Sequence, residues 1–318
     1  MHTPVLFLVF NRPYTTAQGF EAIREARPPR LYVAADGPRK DRPGEKERCE
    51  QVRGIATAVD WPCELKTLFR DDNLGCGIAV STAIDWFFEN EPEGIILEDD
   101  CLPHHSFFPF SEELLERYRE EDRVMVISGD YFHGQAYEPE HSYFFSRFPH
   151  CWGWASWRRA WQSYDHAMAQ WPGLRESEWL IRVGGGHRDF WAYWTQVFDA
   201  THAGDIDTWD YQWTFSCWTQ NGLTILPSKN LVKNSGFGEG ATHAPDDGGW
   251  IAQLPLEKME FPLVHPENIL RDKVADRWTD LHVFRTRASM YRKTLRRIPG
   301  VVRLRNLMKW AMARVQRD

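Results

Sequence analysis

Short, nearly continuous apolar runs punctuate the first third of the chain, and the segments between them carry apolar residues every three or four positions. That alternation is the βαβ rhythm of a mostly parallel sheet covered by helices, an α/β class. "TPVLFLVFNRP" predicts a first strand, and Pro13 with the two threonines after Tyr14 predicts the start of a helix carrying Phe20, Ala22 and Ile23. "RLYVAADGPR" predicts a second strand closed by an Asp-Gly-Pro turn. Val52, Ile55 and Val59 share one face of a helix expected over Glu45 to Val59, and a third strand is expected at "CELKTLFR". A helix over Gly75 to Asn90 follows, then a strand over Gly94 to Leu97.

That fourth run ends in three consecutive carboxylates, Glu98, Asp99 and Asp100, within "EGIILEDDCLP". Like charges gathered at the mouth of a buried strand are costly unless a positive group joins them. In open α/β sheets the ligand crevice lies beyond the carboxyl ends of the strands. Asn11-Arg12, Asp36-Gly37, Arg70 to Asn73 and the triplet all follow strands, so they are expected to converge on one crevice. A hard divalent cation that binds carboxylate and phosphate oxygens suits the triplet; the plainer reading is a capped or salt-bridged loop start.

Further along, a helix over Ser111 to Arg119 and a strand in "RVMVISGDYF" are expected, and the character changes near residue 130. Eleven of the sixteen tryptophans fall between Trp152 and Trp218, an outlier in an otherwise ordinary globular composition. Trp154, Trp157 and Trp161 recur at helical spacing, the mark of a core stripe, while Trp152 and Trp154 flank Gly153 in an expected loop, open to a sugar. "LTILPSKNLVKNSGFGEGATH" is expected to be a strand running into a Gly-rich loop, and Pro245 to Pro266 to be irregular.

With 42% apolar and 26% charged residues, the chain is placed outside disordered and collagen-like classes. The apolar run at Met1 to Phe10 is too short to span a bilayer and lacks the flanks of a signal peptide. Six cysteines without a CxxC pair are expected to be reduced thiols of a cytoplasmic protein. Arg285 to Asp318 holds eleven Lys or Arg against one acidic residue, a local +10, so a net charge of −7 leaves −17 on the preceding residues. Interspersed Leu295, Ile298, Val302, Leu307 and Trp310 make this tail suited to an anionic membrane surface. No nucleic-acid reading module accompanies it, so nucleic acid is not an expected partner.

"GIILEDDCLP" followed by "SFFPF", with "FNRP" and "AADGPR" at the ends of the first two strands, resembles the nucleotide-diphospho-sugar transferases of the GT-A fold, N-acetylglucosaminyltransferase I and its bacterial relatives above all. "DNLGCGIAVSTAIDWFFE" is similar to the segment preceding the acidic motif in family 2 glycosyltransferases. The likeness runs in order from about residue 3 to 243. It implies a Rossmann-like GT-A domain, mostly parallel with flanking helices, plus the basic helical C-terminal tail. Residues 1–130 would bind the nucleotide sugar, 131–270 the acceptor, and 271–318 would form the tail.

The resemblance further implies that Asp100 binds Mn²⁺ or Mg²⁺, while Glu98 and Asp99 position ribose, waters or donor sugar. Asp36 and Arg12 would grip the nucleotide, and Arg70 and Asn73 would face it or cap the following helix. "HCWGWASWRRAW" is similar to a segment lining donor and acceptor, which brings in Trp152 and Trp154. His243 falls where related enzymes place a histidine over the diphosphate. "TWDYQWTF" resembles a "WDDW" element whose aspartate is the catalytic base, which puts Asp210 in that role, although Tyr211 replaces the second aspartate. Asp205 and Asp207 compete with it, and the plainer role for Asp210 is a helix N-cap.

Together these imply an inverting, metal-dependent glycosyltransferase using a nucleotide-diphospho-sugar, UDP-linked, and a glycan or glycolipid acceptor in bacterial surface-polysaccharide assembly. A sugar nucleotidyltransferase is the first alternative, but "FNRPYTT" has no glycine for a phosphate loop. A non-catalytic carbohydrate-binding protein would explain the tryptophans and leave the triplet without a purpose.

Overall fold

The computed structural model describes residues 1–236 and 250–287. Ten strands are defined: β1 (Val5–Val9), β2 (Arg30–Ala35), β3 (Glu64–Phe69), β4 (Glu93–Glu98), β5 (Cys101–Pro103), β6 (Val124–Ser128), β7 (Tyr143–Ser146), β8 (Trp154–Trp157), β9 (Leu223–Pro227) and β10 (Val232–Asn234). The helices are α1 (Pro13–Ala26), α2 (Glu45–Ala56), α3 (Gly75–Asn90), α4 (Phe107–Arg117), α5 (Arg158–Trp161), α6 (Trp171–Arg175), α7 (Trp179–Val183), α8 (Arg188–His202), α9 (Asp210–Thr219) and α10 (Lys273–His282).

Eight strands form one mixed sheet in the order β3-β2-β1-β4-β8-β6-β9-β7. Six run parallel; β8 is antiparallel to both β4 and β6, and β7 is antiparallel to β9. The chain is therefore α/β, with helices on both faces. All five residues of β1 are buried because both faces are covered. Val5, Phe7 and Val9 join the core beneath α1, α2 and α4, whereas Leu6 and Leu8 join the second core with Ile84, Phe87 and the tryptophans. At the edge, β3 leaves Leu65 and Phe69 exposed.

The order 3-2-1-4 reverses between β1 and β4, which makes the gap beyond their carboxyl ends the topological switch point of the sheet. Leu8 pairs with Glu98 in that register, so the Asn11-Arg12 turn and the carboxylate triplet leave the sheet side by side.

The tryptophan stripe departs from the sequence expectation. Trp154 and Trp157 lie on a strand, not a helix, and a three-residue step along a strand sends them to opposite faces: Trp154 enters the second core and Trp157 the first. Cross-strand pairing of Ala155 with Ile95 and Ile127 outweighs the local periodicity. Trp157 and Trp161 are core residues, as expected. Helix α4 begins at Phe107, four residues before the expected Ser111, because Phe107, Phe108 and Phe110 all reach the core.

The sheet continues past residue 130, so both expected halves share one architecture. The segment from 271 is docked to the body rather than set apart as a tail. Arg147 donates to Asp280 at 2.6 Å, with the two side chains 5% and 1% exposed. Arg271 pairs with Asp276, and Arg277 with Asp189 at 2.9 Å. Removing one member of such a network leaves a buried charge uncompensated, so α10 is firmly held. The part of the basic tail beyond residue 287 lies outside the described residues.

Candidate functional site at the switch point

The positive group that the triplet demands comes from the turn after β1. Arg12 Nη1 lies 2.6 Å from Asp100 Oδ2 and 3.4 Å from Asp99 Oδ1. The Phe10 N–H donates to Asp99 Oδ2 at 3.0 Å. Burial opposes the charge on Arg12, but Asp99 and Asp100 outweigh it and raise its pKa. One guanidinium does not neutralise three carboxylates. Burial, then Asp100, Asp99 and Asp210, pushes Glu98 well above the usual carboxylate range, and burial with Asp100 does the same to Asp99. Burial and mutual repulsion thus make the anionic forms of Glu98 and Asp99 costly, a cost that a cation would relieve.

A second segment reaches the triplet from far along the chain. β10 pairs antiparallel with β5, aligning Asn234 with Cys101. Beyond it, Ser235 donates to the Asp100 carbonyl oxygen through its N–H at 2.8 Å and its hydroxyl at 3.0 Å. Gly236 comes so close that a Cβ there would lie 2.1 Å from Asp100 Oδ2. Asp100 is thereby fixed between Arg12 and the segment after β10. Among the described residues, no group of three or more His, Cys, Asp or Glu is arranged as a self-sufficient metal cage. His243, the expected second ligand, lies outside the described residues.

The loops after β2 and β3 meet. Asp36 accepts hydrogen bonds from Asn73 Nδ2 at 2.8 Å, from the Gly37 N–H at 2.9 Å and from the Leu74 N–H at 3.0 Å. Burial raises its pKa despite these donors. Asp36 and Asn73 are thus brought together. Arg70 is turned onto α3, donating to the Ala79 carbonyl at 3.2 Å and to Thr82 Oγ1 at 2.6 Å.

Glu45, a residue the sequence reading passed over, is wholly buried beneath these loops. It accepts from Asn11 Nδ2 at 2.8 Å, the Arg39 N–H at 2.7 Å and Arg39 Nη2 at 2.5 Å. The Arg39 side chain leads in lowering its pKa to about 2. The one sequence signal was an acidic first helical turn, common to many helices.

Helix α9 begins at Asp210. Thr208 Oγ1 donates to Asp210 Oδ1. Asp210 helps raise Glu98 and the thiols of Cys76 and Cys151, so it is one of their charged neighbours. Asp207 is committed elsewhere: its carboxylate accepts from the Cys76 N–H at 3.0 Å and the Gly77 N–H at 2.8 Å, capping α3 from 130 residues away. Gly75, at φ +80°, and Gly77 admit that approach, because a Cβ on either would lie within 2.9 Å of the Asp207 carboxylate. Asp205 is exposed.

Trp152 is half-buried, its N–H donating to Asp130 Oδ2 at 3.1 Å and its ring 5.1 Å from Phe132. Trp154, by contrast, is 0% exposed and packs against Trp161, Trp209 and Trp213, so it offers no face to a sugar. Asp130 was also missed. It is buried and well above the usual carboxylate range for that reason, and its Oδ1 has no hydrogen-bond partner among the described residues. Its signal resembled that of the triplet, a carboxylate just beyond an apolar run, with Ser128 and Gly129 between.

No family model matches this chain, and no curated protein matches its sequence. Solved structures give weak likenesses. HddC from Yersinia pseudotuberculosis superimposes with a TM-score of 0.31 at 9% identity over 52% of this chain and 80% of its own. UDP-glucose pyrophosphorylase complexed with UDP-glucose gives 0.30 at 11% identity over 52% and 79%. Mouse xyloside xylosyltransferase 1, in its apo form, gives 0.33 at 10% identity over 68% and 81%. Likenesses of this size carry no weight for fold or chemistry, which rest on the strand order and side chains described above.

Proposed function

We propose that this chain is an inverting, metal-dependent glycosyltransferase of the GT-A type, moving a sugar from a nucleotide-diphosphate donor, UDP-linked, to a glycan or glycolipid acceptor. One observation supports the reading: Asp210 is near enough to Glu98 to help raise its carboxyl, so a candidate base neighbours the carboxylate triplet at the β1/β4 switch point. An inverting displacement needs that arrangement, with leaving-group stabilisation on one side and a base on the other.

In this reading Asp36 accepts from the nucleobase N–H, while Asn73 and the Leu74 N–H hold its carboxylate in place. Arg12, Glu98, Asp99 and Trp152 orient donor and ribose, while Arg70 stays bonded to α3. Asp100, with His243, holds Mn²⁺ or Mg²⁺. Bound there, the cation supplies Lewis-acid stabilisation of the charge developing on the departing diphosphate. Asp210 takes the proton from the acceptor hydroxyl as it attacks; Thr208 and the helix start keep it oriented. The sequence tail from 285 would hold the enzyme at an anionic membrane on the cytoplasmic side, where lipid-linked acceptors of surface-polysaccharide assembly lie. Among the described residues no helix is long and apolar enough to cross a membrane.

Thermal denaturation with UDP, UTP and CTP, each with and without Mn²⁺, tests the reading. Stabilisation by UDP that needs Mn²⁺ is expected. Preference for UTP or CTP would favour a nucleotidyltransferase, and indifference to every nucleotide would overturn the proposal. Asp210→Asn should lower transfer by about 10²- to 10⁴-fold while UDP binding persists.

A further inference from the structure

Arg39 lies just beyond β2, in the loop that begins with Asp36 and Gly37. One edge of its guanidinium is locked. Nε lies 3.2 and 3.1 Å from the two carboxylate oxygens of Glu45, and Nη2 lies 2.5 Å from Oε1. The Arg39 N–H adds a bond to Oε2 at 2.7 Å, and the Glu45 side chain is 1% exposed. The same Oε1 accepts from Asn11 Nδ2 at 2.8 Å, so the pair is tied to the turn that carries Arg12. The guanidinium also sits over the Phe10 ring, 5.4 Å from its centroid, and the Phe10 N–H is the group that bonds Asp99. A buried carboxylate thus fixes Arg39 beside the switch point.

The other edge is open. A guanidinium carries five N–H donors in a rigid fork, and a carboxylate that grips Nε and Nη2 leaves the Nη1 donors directed away from it. Nη1 has no hydrogen-bond partner among the described residues, and the Arg39 side chain is 40% exposed. The arginines that follow β1 and β3 are differently engaged: Arg12 is bonded to Asp99 and Asp100, and Arg70 to α3. An arginine held along one edge loses little rotamer freedom when its other edge meets an oxyanion, and such charge-assisted bonds are strong.

We propose that Arg39 is a phosphate-binding residue of the crevice, its Nη1 edge bonding a non-bridging oxygen of the donor diphosphate while Glu45 holds the opposite edge. The assignment rests on the nucleotide-sugar reading and adds to it a donor contact from the loop after β2. Glu45 is then a positioning residue for the donor, although it touches no ligand itself.

Displacement of a fluorescent UDP analogue from the full chain in Mn²⁺, by UDP and by uridine, tests this. Arg39→Gln should weaken UDP by about ten- to a hundredfold, the loss of a charge-assisted bond, and uridine by less than about twofold. Arg39→Lys keeps the charge but not the fork, so it should recover part of the UDP affinity while its melting temperature falls as in the Gln variant. A role confined to holding the loop through Glu45 would weaken UDP and uridine alike and make both variants equally poor. Equal losses for the two probes, a Lys variant no better than Gln, or UDP affinity unchanged in both variants would overturn the assignment. Failure of wild type to bind UDP would instead overturn the reading beneath it.

Discussion

Replacing Gly236 with alanine asks whether the segment after β10 sets the position of the Asp100 carboxylate. Gly236 is not in the left-handed region, so alanine brings no backbone strain and the whole effect comes from the added methyl group. That carbon would lie 2.1 Å from Asp100 Oδ2 and 2.8 Å from its Cγ. The first distance is about 1.2 Å short of even a close C–H···O contact. Either the carboxylate rotates or the segment lifts. Rotation sacrifices the 2.6 Å bond to Arg12, a charge-assisted contact of about 1.5–3 kcal/mol. Lifting sacrifices the two Ser235 bonds to the Asp100 carbonyl, about 1 kcal/mol each.

Both routes converge on about 2 kcal/mol. A chain of this length has an unfolding entropy of roughly 0.7 kcal/mol/K, so the melting temperature should fall by about 3 °C. If Asp100 holds the cation, the same displacement should weaken the Mn²⁺-dependent part of UDP binding by about tenfold or more. Calorimetric titration of UDP with and without Mn²⁺, beside thermal denaturation, reads both effects. A variant with unchanged melting temperature and an unchanged metal increment would show that the segment yields freely, and the cradle argument would fail.

Asp207→Ala removes both bonds to the α3 N-terminus and should cost about 1–2 kcal/mol, seen as a melting temperature about 2 °C lower. An unchanged melting temperature would show that the cap is idle. Glu45 supplies a pH test. Its folded pKa, about 2 against a usual 4.5, lies below the unfolded value, so its contribution is present above about pH 4.5 and is lost as pH falls towards 2. The shift corresponds to about 3 kcal/mol before screening of the exposed Arg39, and about 2 after it. Glu45→Gln should therefore lower urea stability at pH 7 and have little effect near pH 2; an equal loss at both would refute the ion-pair account.

Some of this was legible in the chain itself. Apolar runs bounded by turn residues located β1 to β4, and α3 falls on the expected Gly75 to Asn90, because buried parallel strands and amphipathic helices leave strong local periodicities. The meeting of Arg12 with the triplet, and of Asp36 with Asn73, was legible from the strand ends. Trp154 was misread because a three-residue step looks helical when the pairing partner is unseen, and β5, β7, β8 and β10 went unrecognised because three or four residues carry too little pattern.

What the sequence determined by itself is the α/β class and a crevice rich in carboxylates, since both arise from neighbours along the chain. Tertiary structure alone decided the partners: that Arg12 neutralises Asp100, that Asp207 is a helix cap, and that Gly236 closes on Asp100 from 136 residues away. Hydrogen bonds and close contacts act over about 3 Å in space whatever the separation in sequence, so no local pattern records them.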